Sequence, residues 1–228
     1  MPSFLYEGQT IDYQLKRRKG SKHLRLKIDK DGLSLSAPIQ LKETDIQRVL
    51  LDKGDWILKQ LGKYSQRVDY RDGRQVDYLG RAYTVQLMVA EQEKVLFDES
   101  GFQIFSADLS QENISRVMEK WYRKRAKAYL PGRVEAIASE MGIVLTGRIV
   151  IKNQKTRWGS CSSKGNINLN LRLMMAPEAA INYVIIHELC HLWEMNHSAA
   201  FWKLVAKYAP DYQYWRVWFR KNTQRLYL

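Results

Sequence analysis

The sequence has few cysteines and histidines and no long hydrophobic run. Its 228 residues include two cysteines, Cys161 and Cys190, and four histidines. Two cysteines are too few for a disulfide framework, which excludes the class of small disulfide-rich secreted domains and favours a reducing compartment. No stretch offers about 18 uncharged apolar residues, and residues 1–20 contain no apolar signal core. These absences predict a cytoplasmic globular protein without a membrane segment.

Positive charge is unevenly distributed along the chain. Residues 1–108 carry 18 Lys+Arg against 16 Asp+Glu, and residues 109–228 carry 19 against 8, so net charges of +2 and +11 add up to +13. An excess of this size in one half is typical either of a solvated basic surface or of a protein that attracts phosphate, nucleic acid or an acidic peptide. One expectation is therefore weak association with nucleic acid. The sequence predicts no particular oligomeric state.

The apolar pattern changes its period along the chain. Up to residue 108, short alternating segments indicate strands, interrupted by one long amphipathic helix near residues 44–61. From Ser110 the period becomes helical, and Pro131 is expected to kink or end that helix. Residues 166–174 alternate again and predict another strand. The pattern predicts an α+β protein with a β-rich N-terminal region, residues 1–108, and a helical domain with a small sheet, residues 109–228.

Three of the four histidines lie within HELCHLWEMNH, residues 187–197. On a helix, positions i and i+4 lie about 40° apart and one turn along the axis. His187 and His191 can therefore point at one metal ion. Glu188 lies about 100° round from His187, where it can reach a water molecule at that ion and act as a general base. The alternative, a set of buried core histidines, leaves their common spacing unexplained.

A catalytic zinc site needs a third protein ligand and one open position. His197 can supply the ligand if the chain turns near Asn196, a residue type that tolerates the left-handed backbone of many helix ends. Ser198 would then cap the next helix. The alternatives are Glu194 or Asp211 as the third ligand, and a closed structural zinc site that includes Cys161 or Cys190.

Four sequence blocks together resemble a known family. They are RWGSC at 157–161, N-L-N-x-R-L at 168–173, HELCH at 187–191 and NHS-x-x-FW at 196–202. In order and spacing they resemble the YgjP-like or WLM group of small zincin metallopeptidases, which are related to SprT-like proteins. The resemblance implies a zincin-like metallohydrolase with zinc at His187, His191 and His197 and with Glu188 as the catalytic acid/base.

The resemblance leaves the substrate open between a peptide and a nucleotide, because the YgjP type has also been linked to hydrolysis of UTP to UMP and pyrophosphate. It implies that Arg157 lies near the metal, where a cation would stabilise an oxyanion or bind phosphate. The alternative is an arginine that holds a carboxylate such as Glu178. Residues 166–172 are expected to form an edge strand for an extended peptide, with Asn168 and Asn170 on one face.

Overall fold

The computed structural model describes residues 2–29, 32–64, 68–154, 156–223 and 225–226. The chain divides into two compact units, Met1–Arg67 and Val68–Leu228. The predicted boundary after residue 108 therefore falls inside the second unit. Among the described residues, no helix has the length and apolar character needed to cross a membrane.

The first unit packs two helices on one face of a sheet. Its elements are β1 (Ser3–Tyr6), β2 (Gln9–Arg18), β3 (Arg25–Asp29), β4 (Gly32–Pro38), α1 (Glu43–Asp52) and α2 (Gly54–Tyr64). The sheet has the order β1-β2-β4-β3, with β2 and β4 parallel and the other pairs antiparallel. Buried side chains from alternate strand positions, such as Tyr13, Leu33 and Leu35, meet Ile46 and Leu50 of α1.

The single long helix expected in this unit is instead two helices, because the helix is interrupted at Lys53. Gly54 begins α2 at a point where the ring of Tyr6 packs directly on the backbone. A Cβ added at Gly54 would lie 2.1 Å from Cε2 of Tyr6. This close approach explains why the chain places its least bulky residue here, a residue with poor helix propensity.

The second unit begins with another four-stranded sheet and a long helix. These elements are β5 (Gln75–Tyr78), β6 (Arg81–Val89), β7 (Lys94–Asp98), β8 (Gly101–Ser106) and α3 (Gln111–Glu140). The sheet order is β5-β6-β8-β7. Trp121 and Tyr122 of α3 pack against Phe102, with ring centroids 4.9 Å and 6.4 Å from its ring. This aromatic cluster fixes α3 on the sheet.

The sequence predicts that Pro131 either kinks or ends its helix. The helix does not end there, because α3 is 30 residues long and contains Pro131 in its interior. Proline removes one backbone hydrogen bond from a helix. However, Leu130, Val134 and Ile137 continue the buried stripe past the proline, and their burial offsets that loss.

The rest of the second unit contains a small sheet and three helices. Its elements are β9 (Ile149–Lys152), β10 (Gly159–Cys161), β11 (Ile167–Asn170), a 3-10 helix (Leu171–Met175), α4 (Glu178–Cys190), α5 (Ala199–Tyr208) and α6 (Tyr212–Asn222). The sheet order is β10-β11-β9. The expectation that residues 166–172 form an edge strand is wrong, because β11 is central; an edge of this sheet is β10.

Candidate metal centre

Helix α4 supplies the first two histidines from the interior of the second unit. Its residues from Ala180 to Cys190 are buried almost all round, as expected for a helix at the centre of a domain. His187 lies in its last turn, and His191 is the C-cap residue, with φ −66° and ψ −16°. Because His191 keeps helical backbone angles, the i, i+4 relation holds, and the two ring centroids are 5.0 Å apart.

His197 returns to the same point from the loop between α4 and α5. Its Nε2 lies 3.1 Å from Nε2 of His187, and its ring centroid lies 4.8 Å from that of His191. Ser198 caps α5 as expected, since its Oγ accepts a hydrogen bond from the backbone N–H of Phe201. The left-handed backbone expected at Asn196 is absent: among the described residues, the only non-glycine residues with positive φ are Glu7 and Leu79.

The three imidazoles are oriented by one hydrogen bond and by aromatic packing. Nδ1 of His191 lies 3.0 Å from the carbonyl oxygen of Glu194, so this nitrogen donates and Nε2 keeps its lone pair. Nδ1 of His187 is buried without a hydrogen-bond partner within the described part of the chain. The fully buried ring of Phe201 lies 4.5–4.9 Å from the centroids of all three imidazoles. Phe201 therefore positions them by contact.

The donor set fits a divalent metal ion. One nitrogen from each of His187, His191 and His197 lies within 4.8 Å of the other two. Burial lowers the pKa of His187 to about 3, and the charges of its neighbours add to this effect; burial also lowers the pKa of His197. The neutral ring carries the lone pair that a metal requires. Two nitrogens of a tetrahedral zinc site lie about 3.3 Å apart, close to the 3.1 Å between His187 and His197.

Glu188 lies beside this cluster, with 5% of its surface exposed. Burial raises the pKa of its carboxyl group to about 8, although the backbone N–H of Cys161 and the charge of Arg157 act in the opposite direction. The carboxyl group of Glu188 thus lies beside the histidine cluster, and its buried environment stabilises the protonated form. A carboxyl group of this kind can accept and return a proton.

A cavity of about 330 Å³ opens onto His187 and Glu188. Arg157 and Arg216 both line it. Arg216, on α6, was not anticipated from the sequence, because nothing in its spacing relates it to a histidine 29 positions earlier. Its guanidinium carbon lies 4.4 Å from the ring centroid of Trp202, a stacking contact that holds the charge in place. The pocket therefore brings together a metal-ligand histidine, the carboxyl group of Glu188 and two arginines, of which Arg216 is held by stacking.

The whole chain, compared with known families, matches one of them over most of its length. The sequence model of the YgjP-like metallopeptidase domain matches residues 22–222. The chain belongs to the YgjP-like metallopeptidase family. This confirms the resemblance found in the four sequence blocks, and it makes the chain a metal-dependent hydrolase with an α+β fold.

Solved structures that resemble part of the chain include two metallopeptidase zymogens, and no curated protein matches the chain. The metallopeptidase zymogen abylysin of Pyrococcus abyssi is 25% identical, with a TM-score of 0.35, over 40% of this chain and 92% of that one. The metallopeptidase zymogen jannalysin of Methanocaldococcus jannaschii is 22% identical, with a TM-score of 0.37, over 41% of this chain and 95% of that one. Both likenesses are limited to less than half of this chain.

Gly159, in the RWGSC block of this YgjP-like protein, lies against the carboxylate of Glu188. A Cβ added there would lie 2.6 Å from Oε1 and 2.7 Å from Cγ of Glu188. No side chain fits at these distances unless the carboxylate moves. The sequence shows a glycine at position 159, but it does not show that the carboxylate of Glu188 lies against it.

Replacing Gly159 with alanine is expected to reduce hydrolysis at least tenfold while the metal content stays unchanged, since the histidines are not displaced. Small displacements of a catalytic group cost about 10²-fold in rate. Gly62→Ala is the matched control, because a Cβ there meets no atom within 4 Å. Steady-state rates and metal analysis of both variants test this, and equal activity in Gly159→Ala and the parent would show that Glu188 does not need this contact.

The structure places Asn168 and Asn170 in the small sheet, where both bond to their own chain. Asn168 donates to Oγ of Ser160 on β10 at 3.2 Å. Asn170 is fully buried and donates to the carbonyl oxygens of Gln154 and Arg157 at 2.6 Å and 2.7 Å. Its own Oδ1 accepts a bond from the backbone N–H of Arg172 at 3.1 Å. Asn170 thus fixes the loop that carries Arg157.

Truncating Asn170 to alanine should lower the free energy of unfolding by about 2–3 kcal/mol, because it leaves buried carbonyl and N–H groups without partners. Asn168→Ala, which loses one partly buried bond, should cost less than about 1 kcal/mol. Urea unfolding followed by tryptophan fluorescence measures both. Equal losses in the two variants would contradict the role assigned to Asn170.

Proposed function

We propose that this protein is a zinc-dependent peptidase. The observation that carries the proposal is a cluster of three imidazoles within ligand distance of one another, beside a cavity that His187 and the buried carboxyl group of Glu188 both line. His187, His191 and His197 would hold the ion, and three nitrogen ligands with an open position are typical of catalytic zinc. Once bound, zinc supplies Lewis acidity, which polarises a carbonyl group and lowers the pKa of water. The protein and its peptide substrate are proposed to be cytoplasmic.

Glu188 would act as the general base and then as the general acid. Its carboxylate takes a proton from the attacking water and returns it to the leaving amine, so the net reaction is hydrolysis of one amide bond. Burial raises the pKa of this carboxyl group to about 8, close enough to neutral pH for the group to give and take a proton. The backbone N–H of Cys161, which the carboxylate accepts, would hold its orientation.

Strand β10 supports a peptide as the substrate. The backbone N–H of Asn170 donates to the carbonyl of Trp158, and that of Ser162 donates to the carbonyl of Asn166. Because such bonds alternate along an antiparallel pair, the backbone groups of Gly159 and Cys161 point away from β11. The N–H of Cys161 bonds to Glu188, and an extended peptide could pair with the other backbone groups at this edge.

Arg157 and Arg216 favour a second candidate, hydrolysis of a nucleoside triphosphate. Both line the cavity beside Glu188. A peptide develops a single oxyanion charge, whereas a triphosphate carries several negative charges and requires cations in addition to the metal. Two arginines at the cavity meet that requirement, and the chemistry of the proposed centre permits attack at carbon or at phosphorus.

The two candidates are separated by measuring the activity of three zinc-loaded variants. These are Arg157→Ala, Arg216→Ala and the control Arg220→Ala, which changes an exposed residue of α6. On a peptide library, we expect cleavage by the parent, a loss of up to about tenfold in the first two variants, and no change in the control. The opposite outcome is a parent that cleaves no peptide but hydrolyses nucleoside triphosphates, with a loss of more than about 10²-fold in both variants. That outcome would replace the peptidase proposal with a nucleotide hydrolase.

A further inference from the structure

The first unit has a polar surface on the face of its sheet that lies opposite α1 and α2. Side chains alternate along each strand, so the residues between the buried positions point away from the helices. On β2 these are Gln14, Lys16 and Arg18, on β4 they are Ser34 and Ser36, and on β3 they are Arg25 and Lys27. Together with Ser21 and Gly32 they line a trough of about 520 Å³.

Strand register places long cations along the two sides of this trough and short hydroxyls along its floor. Ser36 pairs with Lys16 of β2 on one side and with Arg25 of β3 on the other. Neighbouring strands lie about 4.8 Å apart, so the Cα atoms of Lys16 and Arg25 are about 10 Å apart across the trough. Along β2, Arg18 follows Lys16 on the same face at about 7 Å. The result is a row of cations on each side of a polar floor.

Four of the residues that line the trough are cations, namely Lys16, Arg18, Arg25 and Lys27. Residues 14–27 contain seven Lys+Arg (positions 16, 17, 18, 19, 22, 25 and 27) and no Asp or Glu. No carboxylate lines the trough among the side chains that the structure describes in residues 2–28 and 32–62. Within that same part of the chain, Lys16, Arg18 and Arg25 form no ion pair. Cations held this close repel one another, and a polyanion would relieve that repulsion.

We propose that this basic trough binds the phosphate backbone of a nucleic-acid duplex. Two rows of cations and a floor of hydroxyl donors match a polyphosphate, since Lys, Arg and Ser are common phosphate partners. Among the described side chains of this unit, no aromatic residue lines the trough, whereas single-strand binders stack bases on aromatic rings. The apolar lining residue, Leu35, is buried, so no apolar side chain is available to enter a membrane. Recognition is therefore independent of sequence.

The test uses the full chain and a fluorescent 20-base-pair duplex in an anisotropy titration over a series of salt concentrations; a duplex of about this length offers many overlapping phosphate sites. The variant Lys16→Gln/Arg18→Gln/Arg25→Gln should bind at least about tenfold more weakly at 100 mM salt and should flatten the slope of log K against log salt by about 3. The matched control, Lys42→Gln/Arg48→Gln/Lys59→Gln, removes the same charge from the helical side and should bind like the parent.

A second variant, Ser36→Asp, places a carboxylate on the trough floor and should also weaken binding by at least about tenfold. Equal loss in the trough and control variants, or tighter binding to oligothymidylate than to the duplex, would overturn the proposal. So would binding of the parent to vesicles with about 30% phosphatidylserine but not to the duplex. These outcomes test the trough separately from the metal centre, because all the substituted residues lie in the first unit and the three proposed ligands lie in the second.

Discussion

Replacing Glu188 with glutamine should abolish hydrolysis without removing the metal. The amide has the shape of the carboxyl group but cannot accept a proton from water, and a positioned general base contributes about 10²–10⁴-fold to the rate. The three histidines are untouched, so the metal content should equal that of the parent. Steady-state rates on the substrate identified by screening, together with elemental analysis of the same samples, measure both effects.

Glu194→Gln is the control for this variant. Glu194 lies near the same cluster, but it contributes its backbone carbonyl, which accepts the bond from Nδ1 of His191, and glutamine keeps that carbonyl. Its activity should stay within about twofold of the parent, as expected for a side chain that supplies no proton transfer. Parent-like turnover in Glu188→Gln would remove Glu188 from the mechanism and leave the proposed chemistry without a base.

The second large effect is expected for His197→Ala, which should weaken metal binding by more than about 100-fold, since loss of an indirect partner of a metal ligand already costs 10–100-fold. Activity should be lost with the metal. Zinc stabilises the folded state by preferential binding, so the rise in melting temperature on adding zinc should be present in the parent and absent in the variant.

His23→Ala is the matched control for His197→Ala, because it removes the fourth histidine from the first unit and should keep both the metal and the thermal shift. Full metal content in His197→Ala, with loss of metal in Glu194→Gln, would move the third ligand to Glu194. The glutamine variants of Glu188 and Glu194 thus test the base, and the alanine variants of His197 and His23 test the ligand set independently.

Local sequence was sufficient for the features that depend on short-range geometry. The i, i+4 spacing of His187 and His191 fixes their common direction once a helix forms, and a serine three residues before Phe201 is enough to predict a helix cap. The α+β class also followed from the period of the apolar residues. The position of Pro131 was misleading, because the packing of α3 on both sides of it outweighs its local cost.

Only the tertiary structure decided which residues surround those histidines. The edge position of β10, the packing of Gly159 on Glu188 and the position of Arg216 at the cavity depend on contacts between different elements. Local propensity and periodicity carry no information about such contacts. The basic trough is hidden for the same reason, since net charge over residues 1–108 is only +2. Strand order and register bring its cations onto one face, and pairing between distant strands is a property of the folded chain.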